Sequence, residues 1–143
     1  MVRAPLPVGP FRSPAAAAAR SAGRSGSSRH AVALVLGSGW GETGDLIGRT
    51  VATIDNTAVP GFAKAAVAGH SDVIRSVAIG ETDRRALVYG TRTHFYDGRG
   101  LRSVVHAVRK PAAAGCRTIV LTNGGGPFQP ACDPGAPVLI PGP

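Results

Sequence analysis

Residues 31–36, Ala-Val-Ala-Leu-Val-Leu, form an unbroken apolar run closed by Gly37-Ser38-Gly39, and residues 117–121 repeat the pattern around Thr-Ile-Val. Apolar runs without alternation mark strands buried on both faces, so both segments are predicted as central strands. Residues 50–54, 73–79 and 86–89 are further β-rich stretches, separated by turn signals at Asp55-Asn56, Val59-Pro60-Gly61 and Gly80-Glu81-Thr82-Asp83. That spacing predicts neighbouring or antiparallel pairing. Residues 100–114 have a helical period, with Leu101, Val104, Val105 and Val108 on one face and Gly115 as the terminating residue. Pro111 lacks an amide hydrogen and predicts a kink or an early stop near Lys110.

Charge changes the picture less than its total suggests. Of the net +8, residues 1–30 contribute five arginines and no acid, which leaves 11 basic and 8 acidic residues for the rest. No basic stripe with interleaved aromatics follows, and nucleic-acid binding is not indicated. Residues 1–30 read as a flexible Arg/Ala/Ser-rich arm. Ser13 and Pro14 would start a short helix over residues 15–20, and residues 21–28 would link it to the body. The arm imitates a transit peptide in composition but lacks a persuasive amphipathic pattern. Cys116 and Cys132 lie outside any Cys-x-x-Cys spacing, so neither a zinc site nor a disulfide framework is indicated. The longest apolar run is far below the roughly 18 residues that cross a bilayer, so a soluble, cytoplasmic chain without membrane contact is expected.

The densest polar chemistry lies in residues 90–98, Gly-Thr-Arg-Thr-His-Phe-Tyr-Asp-Gly. On an extended strand Arg92, His94 and Tyr96 would share one face, with Asp97 on the other. A guanidinium fork suits phosphate or carboxylate, the imidazole titrates near neutrality, and the ring carries a hydroxyl at its tip. Gly37-Ser38-Gly39 and Thr122-Asn123-Gly124-Gly125-Gly126 follow strand-like runs, as phosphate-cradling turns do, although each would also serve as a plain chain reversal. His70 stands where a loop enters a strand, a place where a lone histidine commonly only packs. Residues 39–44 match Gly-x-Gly-x-x-Gly, with Asp55 as a ribose-binding acid. Only residues 45–49 separate them from the next strand-like run, too few for the roughly 10–12 of a parallel crossover.

Taken in order, Leu36-Gly37-Ser38-Gly39-Trp40-Gly41, Gly69-His70, Arg92-Thr93-His94-Phe95-Tyr96-Asp97-Gly98 and residues 114–126 resemble the trimeric purine nucleoside phosphorylases. The resemblance spans residues 31–140. It implies an α/β fold, a mixed twisted β-sheet flanked by helices, incomplete at the C-terminus. The implied reaction is phosphorolysis of purine nucleosides to free base and (deoxy)ribose 1-phosphate, as in purine salvage. Phosphate would be a co-substrate, with no metal or organic cofactor.

Carried over, the resemblance puts Ser38, His70, Arg92, His94 and Gly124 on phosphate, with His94 as the catalytic candidate. Tyr96 would pack on ribose, and Asn123 and Gly125 would shape the base and sugar pocket. A homotrimer is implied for the full-length protein. Asp97 stands where family members usually have Glu, and Pro127 removes an amide from the glycine turn. The chain ends at Pro143, about halfway through the family's length, soon after a strand expected near Leu139. The expectation is therefore weak or absent turnover by these 143 residues. A non-catalytic phosphate- or nucleotide-binding module is the alternative.

Overall fold

The computed structural model describes residues 30–56, 73–126 and 133–141. Residues 1–29 with the helix expected there, the turn expected at 59–61, His70, Pro127 and Cys132 lie outside the described residues. Strands β1 (Val32–Val35), β2 (Gly48–Asp55), β3 (Val73–Ile79), β4 (Arg85–Tyr89) and β5 (Thr118–Leu121) form one sheet in the order β2-β3-β4-β1-β5. β1 runs parallel to β4 and β5, whereas β3 is antiparallel to both β2 and β4. β3 alone opposes the common direction, which makes the sheet mixed.

Alternation along the strands sorts the core onto two faces. Ala33, Val35, Ile54, Ile74, Leu87 and Tyr89 pack on one face with Ala107 and Cys116. Leu36, Val77, Ala86 and Val88 pack on the other, with Trp40 and Ile47 against them. Helix α1 (Thr43–Ile47) thus covers one face; α2 (Gly100–Val104) and α3 (His106–Ala113) follow β4, and α3 covers the other. Arg75 of β3 forms an ion pair with Asp45 of α1 and packs so closely over Gly44 that a Cβ there would strike the guanidinium. The five-residue α1 and the distance of β2 from β1 in the sheet leave no dinucleotide-type crossover.

Four expectations change. β5 is not central among the described strands: it pairs only with β1, and Val120 and Leu121 are exposed. The predicted single helix is divided at Val105, which closes α2 and opens α3, and α3 continues through Pro111 to Ala113. The division resets the helical phase. Leu101 and Val108 are exposed, and Ala107, Lys110 and Pro111 face inward. Gly115, with φ +90°, does follow the helix end as expected. His30, counted with the arm, belongs to the body, where its buried ring meets the Ser76 hydroxyl at 2.9 Å. Residues 138–140 form no strand, and Leu139 is 92% exposed, because no described strand pairs with them.

Burial shifts the titrations of this core. Lys110, only 3% exposed, has its ammonium pushed down to about 8 by desolvation. Desolvation, with the Arg85 charge second, lowers His30, and it raises Cys116 and Tyr89. Among the described residues, no helix is long and apolar enough to cross a membrane.

Candidate functional site

The site is built from strand ends. Val35 of β1 is in register with Tyr89 of β4 on one side and Leu121 of β5 on the other. All three strands point the same way, so the chain leaves the sheet three times along one edge. Ser38, Arg92 and Gly124 are each the third residue beyond that row. Ligands of open α/β sheets bind in the crevice outside such carboxyl ends.

Two of the three loops are locked together. The Gly37 amide donates to Thr122 Oγ1 at 3.0 Å, and the Thr122 amide donates to the Val35 carbonyl at 3.0 Å. Trp40 Nε1 donates to the Asn123 carbonyl at 3.2 Å. A Cβ on Gly37 would strike the Thr122 carbonyl and lie 2.9 Å from Asn123 Cα; one on Gly124 would lie 3.1 Å from the Ser38 carbonyl. Glycine at 37 is therefore a requirement of loop contact. Gly39, at φ +82°, is a requirement of the turn. The result is a rigid double loop that leaves Ser38, Asn123, Gly124 and Gly125 exposed. Trp40 and Thr122 were not singled out as functional side chains, though the only tryptophan of the chain, set between glycines, was a visible signal.

The third loop corrects the sequence reading. β4 ends at Tyr89; residues 91–94 are irregular, and Phe95–Asp97 form a 3₁₀ turn. Tyr89 is the last residue of β4 in register with its neighbours, Ile74 of β3 and Val35 of β1. Arg92, His94 and Tyr96 thus do not share a strand face. His94 and Tyr96 still meet, now by ring stacking, with centroids 4.7 Å apart and planes 9° from parallel. Asp97 is not an outlying group on an opposite face: its Oδ2 accepts the His94 backbone amide at 2.9 Å.

The reciprocal cap, in which the Asp97 amide donates to the His94 side chain, gives that ring a defined role. One ring nitrogen accepts, so in the neutral ring the other carries the proton and is a donor. Arg92 is half-buried, and its Nε is fully buried without a hydrogen-bond partner among the described residues. Leaving such a donor unpaired costs about 1–3 kcal/mol, more for a charged group, which marks the guanidinium as held for something other than packing. Among the described residues no group of three or more His, Cys, Asp or Glu is placed to hold a metal ion.

No protein-family model matches the chain. A purine nucleoside phosphorylase of Cellulomonas sp is 47% identical over 134 residues, covering 92% of this chain and 48% of the relative. The enzyme of that name from Mycobacterium tuberculosis is 42% identical over 119 residues, covering 83% and 44%. Among solved structures, isoform 2 of the purine nucleoside phosphorylase from Schistosoma mansoni, in complex with cytosine and ribose-1-phosphate, aligns with a TM-score of 0.66 at 24% identity. It covers 79% of this chain and 38% of that one, a likeness of fold. The chain spans about half the length of the curated relatives it matches. Over 92% of its length the chain is similar in sequence to a purine nucleoside phosphorylase, and its sheet shares the fold of such enzymes.

Proposed function

We propose that this chain carries the phosphate side of a phosphorolysis in which inorganic phosphate attacks the anomeric carbon of a purine nucleoside. The products are the free base and (deoxy)ribose 1-phosphate. The observation that carries the proposal is the common row: Ser38, Arg92 and Gly124 are each three residues past register-matched strand ends. A hydroxyl, a guanidinium fork and a backbone amide there address one oxyanion, and donors fixed before the reaction hold phosphate in line with an oxocarbenium-like sugar. His94 presents its second ring nitrogen as a further donor and is the proposed catalytic residue. Tyr96, stacked on that ring, is proposed to pack on the ribose. Asn123 and Gly125 would line the sugar and base, and His70 would lie beside the phosphate. Phosphate serves as co-substrate, with no organic cofactor or metal required. The names of the curated relatives support the reaction, and the motif resemblance supports a cytoplasmic homotrimer acting in purine salvage.

The test pairs calorimetric titration with phosphate and an assay of hypoxanthine release from inosine, both on the 143-residue chain. Phosphate-dependent release that disappears in Arg92→Ala and His94→Ala supports the enzyme. Phosphate binding without release moves the conclusion to a non-catalytic phosphate- or nucleotide-binding module. Neither binding nor release overturns both.

A further inference from the structure

Asn56 is completely buried, and neither its Nδ2 nor its Oδ1 has a hydrogen-bond partner among the described residues. Native interiors seldom leave both ends of an amide unpaired, and such a group calls for an explanation beyond packing. Its position supplies one. Ile54 of β2, Ile74 of β3 and Tyr89 of β4 lie in one row, and β2 and β4 run in the same direction. Asn56 is two residues beyond Ile54, and Arg92 is three beyond Tyr89, so both leave the sheet at the edge that carries the phosphate loops. Only β3 separates their strands, which at the usual spacing are about 10 Å apart, within the combined reach of an arginine and an asparagine side chain. Each side chain also holds what the other lacks: Arg92 Nε–H is a buried donor without an acceptor, and Asn56 Oδ1 a buried acceptor without a donor.

We propose that Asn56 is a positioning residue for Arg92: with an oxyanion bound, Asn56 Oδ1 accepts the Nε–H and turns the two Nη groups of the guanidinium toward the anion. The proposal rests on the phosphate reading of Arg92. A guanidinium pinned through Nε has one rotation left to lose when it takes up bidentate contact, so the pin acts on affinity through geometry and adds no charge.

Calorimetric titration with inorganic phosphate tests it on the wild-type chain, Asn56→Leu, Arg92→Lys and the double variant. Leucine nearly matches asparagine in shape and removes both unpaired atoms. Asn56→Leu is expected to weaken phosphate binding about tenfold while melting no earlier than wild type, and to add nothing to Arg92→Lys. A merely structural asparagine would leave phosphate affinity unmoved. Binding that depends on Arg92 but is unchanged in Asn56→Leu, or additive losses in the double variant, overturns the pin and leaves the phosphate reading standing. Equal affinity in wild type and Arg92→Lys, or none in either, removes the phosphate reading and the pin with it. Should the leucine variant not fold, nuclear Overhauser contacts in the phosphate-saturated wild type decide: a contact from Arg92 Hε to the Asn56 side chain is expected, and its absence overturns the proposal.

Discussion

The two sides of the sheet are built by opposite rules. On the antiparallel side, β2, β3 and β4 are held by long ladders, and the chain turns from β3 into β4 through residues 80–84. That turn is closed by Thr82, whose hydroxyl donates to the Ile79 carbonyl at 2.7 Å and accepts the Arg84 amide at 3.2 Å. A hairpin spends its strand ends on reversing the chain. On the parallel side, β4, β1 and β5 cannot be joined so tightly, and each must send its chain off the same edge before it returns. The chemistry gathers there for that reason: Ser38, Arg92 and Gly124 all lie on such exits. Both sides supply core, Ala33 and Val35 of β1 as well as Ile74 of β3, and the parallel side adds these loops.

Truncation of core residues gives the largest expected contrast between the sides. Leu87→Ala, in the buried middle of β4, should cost about 2–5 kcal/mol in urea unfolding, because it leaves a cavity between packed layers. Leu121→Ala, at the exposed end of β5, should change stability by less than about 0.5 kcal/mol. Equal losses would mean that β5 is as deeply packed as β4.

The Lys110 prediction concerns the helix that covers the sheet. Its ammonium has a folded value of about 8 against an ordinary 10.5, a difference of about 3 kcal/mol. The unfolded chain therefore binds more protons between pH 8 and 10.5. By linkage, stability should rise with pH across that window, while the full cost of burying the charge applies below about pH 8. Lys110→Met should unfold later than wild type at pH 7 and should lose the rise. A flat wild-type profile over the window would contradict the burial.

Glycine replacement probes the double loop. Gly37→Ala forces a methyl into the Thr122 carbonyl and should cost about 1–3 kcal/mol, with phosphate binding impaired. Gly41→Ala, in the same loop, meets nothing within 4 Å and should be silent in both measurements. A milder change to the same loop is Trp40→Phe, which keeps a ring but loses the bond to the Asn123 carbonyl. A loss of about 0.5–1.5 kcal/mol is expected in thermal unfolding.

Legibility followed the range of the interactions involved. The apolar run at residues 31–36 and the β-branched stretch at 73–79 were readable because a strand's periodicity is local, and both are strands within a residue or two of the expected bounds. Gly37, Ser38, Asn123 and Gly124 were readable as loop residues because glycine after an apolar run marks an exit from a sheet. Arg92, His94 and Tyr96 would share a face on a strand, whereas in the fold they lie on a loop where His94 and Tyr96 meet by ring stacking. Their segment had the composition of a strand, but the ladders of β4 with β3 and β1 end at Tyr89 among the described residues. The face of the helical segment was misread at Val108 for a similar reason, since a break at Val105 shifts every position after it.

The sequence by itself determined the order and kind of the main elements, the glycine positions that let loops approach one another, and the similarity to the purine nucleoside phosphorylases. These depend on chain-local sterics and on residue order, both written along the chain. Tertiary structure alone decided that Ser38, Arg92 and Gly124 leave the sheet in one row, that Lys110 and Asn56 are buried, and that β5 lies at the edge of the described sheet. Register and burial are set by residues 46 to 87 positions away, such as Ser76 beneath His30 and Thr122 beside Val35. No local pattern reports which neighbour a strand will meet.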